Sequence, residues 1–458
     1  MRSFYFRASF LLFLFFFTAA HFSILQAQQL WGTGKSVNND SVFVYKLNVD
    51  GSDFTIVHKF DADLVAVGGL VYGNDGFVYG MFQKGGEFDK GFVYRINALD
   101  TSFSVVKSLS HPYAEYRGNI VSIGNKLYYQ YLSLYDFESK ILSLDLISFV
   151  QDTVYNDADI MESSLSKGIH NNLLGMVPVQ KIMEYYPETS EYQLISSLPS
   201  MSGYSVGASF QCSNGDIYTM CTFSGNSEIG VIARYDALTQ QSSISYDFAH
   251  NMEERYPRHS FAETADHELI GIGKYIDDCF LFTYSEGGGY RILQHFDDPE
   301  FGTRSTNGEL TASNNGYIYG TTVNDGLYGN GCIFSVNKAT LEVKKVIDLQ
   351  KVDGAIPAYA GLLMMFDTVY NHLGEVKPGE EIEIVPNPAT DKIIVINHDI
   401  KNQPDKIEIY SLDGKFIMKL NSLEGNRTEI DLRTFKNGIY ILKTWLNSKV
   451  VSRKFVKL

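Results

Sequence analysis

Residues 68–97, GGLVYGNDGFVYGMFQKGGEFDKGFVYRIN, decide the fold, because residues 308–337, GELTASNNGYIYGTTVNDGLYGNGCIFSVN, repeat them in register. Glycines fall 6, 10 and 21 residues after Leu70 (Gly76, Gly80, Gly91) and at the same offsets after Leu310 (Gly316, Gly320, Gly331). Shared offsets at that separation mark a structural repeat. Each unit reads as four short strands. In the first copy these are residues 69–72, 77–82, 92–97 and 102–109, with a turn at Asn74-Asp75-Gly76. Asn and Gly tolerate the positive φ that tight hairpin turns need.

First strands of successive units start near Gly68, Gly118, Gly168, Gly207, Ser260, Gly308 and Gly361. A period near 50 residues with four strands each is the pattern of propeller blades. No stretch sustains the 3.6-residue apolar period of helices. The ends of the body complete each other. Leu30-Trp31-Gly32-Thr33 matches a second strand, with third and fourth strands at 43–48 and 55–60, so the first unit lacks a first strand. Residues 360–365 read as a first strand with nothing after it. Joined, they make one split blade, which closes a ring and leaves no open sheet edge. The expected fold is all-β: a seven-bladed β-propeller with split-blade closure, followed by a small immunoglobulin-like β-sandwich.

The pattern G-L-V-x-G-x-D-G-x-V-Y-G, then a Gly-Gly loop, then G-x-V-Y, resembles the choice-of-anchor tandem repeats called GloVer. The resemblance is close for residues 68–97 and 308–337 and partial elsewhere. It implies a secreted β-propeller and brings no catalytic residues with it.

Composition agrees with strands: aromatics make up 14%, with 30 Tyr and 31 Phe. The net charge of −15 is unevenly spread. Residues 382–458 hold 13 Lys+Arg against 9 Asp+Glu, whereas residues 29–381 carry −21. So acidic a body repels phosphate backbones, and nucleic acid is not an expected partner.

Residues 1–27 have the parts of a secretory signal peptide: Arg2 and Arg7, an apolar core over 8–20, and Ala27 before the expected cleavage point. At the other end, residues 369–381 read as a linker after a propeller spanning 28–368. Residues 382–458 alternate with period two through seven candidate strands: 382–385, 392–396, 406–410, 415–420, 429–432, 439–445 and 450–456. Pro386, Asn387 and Pro388 lie near the start, Asp413 and Gly414 make a turn, and Asn437, Gly438 and Tyr440 open a late strand. These residues, with the basic final strand, resemble the type A C-terminal sorting domain of the type IX secretion system. The resemblance implies export across the outer membrane by that machinery, removal of the domain, and attachment of the cargo to lipopolysaccharide.

Candidate chemistry in the body is sparse. His250, His259 and His267 lie close together in sequence with Glu253, Glu254, Asp266 and Glu268. Imidazoles and carboxylates of this kind could hold a divalent cation; the simpler reading is a polar loop, and no cofactor is expected. Cys212 and Cys221 flank the Asn214-Gly215 turn, where a cross-strand disulfide could form in an oxidising exterior. Tyr79, Tyr128, Tyr218 and Tyr319 recur at one position per unit, which marks them as core between blades. Departures from the repeat, at 112–200 and 250–268, are where specificity is expected.

No nucleophile, phosphate-binding or dinucleotide motif is present. The expected function is a secreted or cell-surface, non-catalytic propeller that binds a glycan or protein ligand. The rivals are a polysaccharide lyase or hydrolase with its site at the propeller mouth, and a structural surface component. Deleting residues 382–458 should abolish export, measured as loss of the body from the culture medium and cell surface; unchanged secretion would refute the sorting assignment.

Overall fold

The structure is a computed structural model describing residues 28–457 except 37, 39, 74, 99, 136–137, 158–162, 178–180, 199–206, 223–224, 226–228, 249–254, 276–277 and 297–300. Also outside the description are 302, 306–308, 325–326, 350–355, 358–360, 366–381, 386–388, 398–403, 412–414, 422–426, 437 and 447–448. The chain divides into a unit spanning Ala27–Phe366 and a second containing Asp367–Leu458.

The body is a succession of antiparallel sheets built on four strands, two of which gain a short fifth: Ile356–Pro357 pairs with the strand Gln29–Lys35, and Thr303–Ser305 with Tyr317–Asn324. The first holds Gln29–Lys35, Ser41–Asn48 and Thr55–Asp61; the second Val71–Tyr72, Phe77–Phe82, Phe92–Asn97 and Phe103–Ser108. The third runs Ala114–Ile123, Lys126–Ser133, Ser139–Asp145 and Gln151–Asp157; the fourth Ser166–Lys167, Leu173–Val177, Lys181–Tyr186 and Glu191–Ser197. The fifth is Phe210–Gln211, Ile217–Cys221, Val231–Asp236 and Gln241–Asp247; the sixth Arg255–Glu263, Leu269–Tyr275, Asp278–Ser285 and Gly289–His295. The seventh is Thr311–Ala312, Tyr317–Asn324, Cys332–Asn337 and Val343–Asp348. The first sheet takes its missing strand from the far end of the body. Leu363–Met365 pairs antiparallel with Gln29–Lys35, setting Trp31 opposite Leu363 and Gln29 opposite Met365. The architecture is all-β, with repeated four-stranded blades in a propeller-like arrangement.

Apolar clusters join each sheet to the next. One packs Trp31 and Val44 of the first sheet on Val78 and Tyr94 of the second; another packs Tyr218 of the fifth on Phe261 and Phe280 of the sixth. A further cluster joins the seventh to the first, through Tyr319 and Ile333 against Phe43 and Tyr45. Tyr79, Tyr128, Tyr218 and Tyr319 are all buried in these interfaces.

One cross-strand pair makes this packing work. Gly80 on the second strand lies opposite Tyr94 on the third, and a Cβ at Gly80 would overlap the Tyr94 ring. The same geometry recurs at Gly32 with Tyr45, Gly271 with Phe282, and Gly320 with Phe334. The glycine gives the ring room to lie across its own sheet and fill the interface with the preceding one. Register fixes the equivalents elsewhere: Tyr129 with Leu142, Gly175 with Met183, and Thr219 with Ala233. In each sheet of the body among the described residues, the pairing of third and fourth strands shifts register beside this position, a β-bulge that no residue type announces.

The cysteines depart from the disulfide expectation. All four are free and buried. Cys212 packs in the cluster shared with the sixth sheet and Cys221 in the one shared with the fourth, so they occupy opposite faces of the fifth sheet.

The C-terminal unit has two sheets. One orders Ile382–Val385, Lys392–Asn397 and Arg427–Asp431; the other orders Phe416–Asn421, Pro404–Ser411, Gly438–Leu446 and Lys449–Lys457. Their facing sides share one core, with Ile393, Ile409, Leu442 and Phe455 inside it.

Gly80→Ala should destabilise the body by about 1–3 kcal/mol, the usual cost of overpacking, seen as a lower denaturant midpoint. Tyr94→Phe should be neutral or stabilising. Its buried hydroxyl has no partner among the described residues, and the sixth and seventh sheets carry Phe282 and Phe334 there.

Candidate functional site

In a four-stranded antiparallel sheet the first–second and third–fourth turns lie at one edge, so the body gathers both sets of turns on one face. A cavity of about 420 Å³ opens there between the fifth and sixth sheets. The turn Asn214-Gly215 starts it, with Gly215 at φ 95°. Asp216 follows, nearly fully buried, and accepts hydrogen bonds from Asn214 Nδ2 (3.0 Å), the Ala237 N–H (2.9 Å) and Arg234 Nη2 (2.8 Å). Arg234 Nη2 also reaches Asp236 at 2.7 Å, and its Nη1 lies 3.7 Å from Glu286. Glu286 in turn accepts from Tyr284 Oη (3.0 Å) and Ser245 Oγ (2.5 Å). The guanidinium is thus shared by three carboxylates from two sheets.

Across the cavity stand Ser213, Glu263 and His267. Ser213 Oγ donates to Glu263 Oε1 at 2.8 Å, and His267 Nδ1 lies 2.9 Å from the same oxygen and 3.1 Å from Ser213 Oγ. Burial acts to raise the Glu263 carboxyl, but hydrogen bonds from His267 and from the Ser213 hydroxyl and N–H outweigh it and hold it below the ordinary range. These residue types suggest a nucleophile relay, yet both contacts of the imidazole pass through Nδ1. A relay needs one ring nitrogen on the acid and the other on the hydroxyl. The arrangement is a clasp between two turns.

Of the histidines singled out from sequence, His267 lines this cavity in a turn with φ 63°. His259 lies on the strand Arg255–Glu263, and His250, Glu253 and Glu254 lie outside the described residues. Among the described residues no three His, Cys, Asp or Glu side chains are grouped to hold a metal ion. In the C-terminal unit, Pro386, Asn387, Pro388, Asp413, Gly414 and Asn437 lie outside the described residues. Gly438 opens its strand, and Tyr440 is buried, stacked on Phe455 and donating to the Lys436 carbonyl at 2.7 Å.

A second unusual group is Glu309. Register places it level with Gly361, Gly69, Asn119, Ser164, Ala208 and Ser260, two residues before the first strand in five sheets and within it in the third and sixth. These positions come together: Gly69 abuts Gly361, and Gly361 abuts Glu309. The Glu309 carboxylate reaches the Asn119 side chain and the Ala208 N–H, on the third and fifth sheets. It retains some accessible surface while protein encloses it, as a group on the wall of a narrow neck would. Burial pushes its carboxyl up to about 7, against the pull of those two hydrogen bonds.

Sequence reading missed Arg234, Asp216, Glu286 and Glu309. The signal for Glu309 was in the repeat itself, where GGL in one copy becomes GEL in the other.

Residues 383–458 match the family model of the secretion system C-terminal sorting domain. That segment is a sorting domain, and it implies export by the type IX route to a secreted or cell-surface location. No curated protein matches the chain. Two solved structures resemble it at a TM-score of 0.50, candidate 6-phosphogluconolactonases of Bacteroides uniformis and Bacteroides fragilis. They are 10% and 11% identical, covering 74% and 75% of this chain and 99% of their own. PorZ, a surface component of the type IX secretion system of Porphyromonas gingivalis, covers 93% of this chain and 81% of its own at 10% identity, but its TM-score of 0.31 supports no argument. At such identities likeness shows the fold alone.

Glu309 yields a signed prediction. A carboxyl raised in the folded state binds more protons than its unfolded counterpart between about 4.5 and about 7, so stability falls as pH rises through that window. Glu309→Gln should remove the fall. Melting temperatures of the two proteins should stay nearly parallel above about pH 7, and the Gln variant should gain on wild type by up to about 3 kcal/mol across the window; identical pH profiles would refute the assignment.

Proposed function

We propose that this chain is an exported, seven-bladed β-propeller that binds a glycan or protein ligand at its turn face without converting it. The proposed boundaries are a signal peptide at 1–27, the propeller at 28–368, a linker at 369–381 and an immunoglobulin-like sandwich at 382–458. Support for the blade count comes from the paired ends of the body and from the apolar cluster joining its last sheet to its first. After removal of the sorting domain, the propeller is held at the surface through lipopolysaccharide or released.

The observation that carries a binding role is the way the cavity's ionic groups hold one another. Arg234 is committed to Asp216 and Asp236, and His267 to Glu263 and Ser213 through a single nitrogen. Such groups are fixed in place, which suits recognition of hydroxyls by directed hydrogen bonds. The lactonase suggested by the fold likeness is a poor reading of this site. Asp216, Glu263, Asp266, Glu268 and Glu286 face a cavity with one guanidinium already neutralised, a hostile seat for a phosphorylated substrate.

Exported protein should bind neutral glycans or a protein ligand on an array, with Glu286→Gln weakening binding about tenfold, the worth of one hydrogen bond to a charged group. No product should form from the bound glycan, with or without chelator. Turnover that chelator abolishes would establish the polysaccharide-active enzyme instead.

A further inference from the structure

A second cavity, of about 670 Å³, opens on the same face, at the turns of the fourth sheet. Its walls include His170, Asn171, Tyr186, Glu188, Tyr192 and Gln193. Beside it, Glu184 is buried and accepts hydrogen bonds from Asn172 Nδ2 (3.0 Å), Tyr186 Oη (2.8 Å) and Gln193 Nε2 (3.0 Å). Tyr192 is 54% exposed, and Tyr155 braces it edge-on at 5.3 Å. It presents a fixed aromatic plate to solvent.

The two cavities are joined by a short run of fifth-sheet residues. The Glu184 carboxylate acts on the Tyr235 phenol, which burial first, and then Glu184 and Asp236, push upward. Asp236, the next residue, holds Arg234 in the first cavity. Strand four of the fourth sheet also touches its neighbour, Ser196 Oγ lying 2.7 Å from Ser242 Oγ. One face therefore carries both hollows, on sheets that are in direct contact.

We propose that the two cavities are subsites of one surface that takes a linear, neutral glycan chain across the fourth, fifth and sixth sheets. This rests on the binding role proposed above and specifies its ligand. The chemistry excludes a uronate-bearing chain, since Glu188 and Glu191 rim one hollow and Glu263, Asp266, Glu268 and Glu286 the other. A protein ligand would need deep apolar pockets for its anchoring side chains, whereas the first hollow is lined chiefly by carboxylates, an amide and a guanidinium, and the second sets Tyr186, Pro187 and the exposed Tyr192 among carboxylates, amides and hydroxyls. A sugar chain has the matching groups: hydroxyls to donate to carboxylates, and an apolar pyranose face for Tyr192.

The test is calorimetry of the full chain with cello-, xylo- and laminari-oligosaccharides, from the disaccharide to the hexasaccharide. In the series that binds, the hexasaccharide should bind about tenfold or more tightly than the disaccharide. Tyr192→Ala should remove about that gain, of the size aromatic contacts supply, and leave the disaccharide unaffected. Tyr192→Phe should retain the gain, while Glu286→Gln should weaken short and long chains alike. Affinity independent of chain length, or a Tyr192→Ala variant with full hexasaccharide affinity, overturns the two-subsite surface and leaves the binding role standing. Binding of a protein or basic peptide, with none of the three series binding, overturns the glycan assignment; no ligand of any kind overturns both.

Discussion

The body depends on one steric bargain: each sheet must push bulk into its interface with the preceding sheet while its own strands stay close. A glycine on the second strand opposite a ring on the third meets both demands. Tyr94 over Gly80 and Phe334 over Gly320 put an aromatic ring in the interface. Close packing at this position constrains the pair and its neighbours together, so either member is free to change when the surroundings repack. The third sheet shows this directly, since Tyr129 and Leu142 exchange which strand supplies the larger group and still pack together in the cluster shared with the second sheet.

The axis imposes the opposite demand. Where the first strands converge there is little room for bulk, and Gly361, Gly69, Ser164, Ala208 and Ser260 are register equivalents there, Asn119 being the larger one that meets Glu309. Glu309 breaks that rule with a long ionisable side chain and bonds across to two other sheets. Desolvation of an isolated carboxylate is costly, so at neutral pH this residue trades stability for a polar link through the neck. The ring is thus packed by volume at its interfaces and tied by polarity at its centre.

Most of the scaffold was legible because glycine offsets survive in the units that keep the glycine–ring pair. The split first sheet was legible for a related reason: Leu30-Trp31-Gly32-Thr33 keeps the second-strand pattern, and Leu363–Met365 supplies its partner. The middle units were faint because Tyr129 with Leu142 and Thr219 with Ala233 occupy the same register position without glycine. Cys212 and Cys221 misled for want of face information. They flank one turn, yet the odd separation puts their side chains into different interfaces. The cavity was hidden because Ser213, Arg234, Glu263 and Glu286 meet only after two sheets pack, and no local motif encodes that meeting.

The site does have a relation to the repeat, visible once register is known. In the second sheet Asp75 accepts from Tyr79 Oη, and Arg95 lies over the Phe77 ring at 4.2 Å. In the seventh, Asn315 takes the Asp75 position with the bond reversed, its Nδ2 donating to Tyr319 Oη at 2.9 Å. The fifth sheet keeps the Tyr and the Arg, at Tyr218 and Arg234, paired as Tyr79 and Arg95 are. It replaces the Phe77 position by Asp216. Asn214 now bonds to Asp216, and the guanidinium is drawn from a ring face into an ion pair that extends to Glu286. An exchange of an aromatic ring for a carboxylate, at a position the repeat uses for packing, turns a blade-capping turn into the wall of a polar cavity. Function on such a scaffold is therefore best sought where a register position changes chemistry while its neighbours keep theirs.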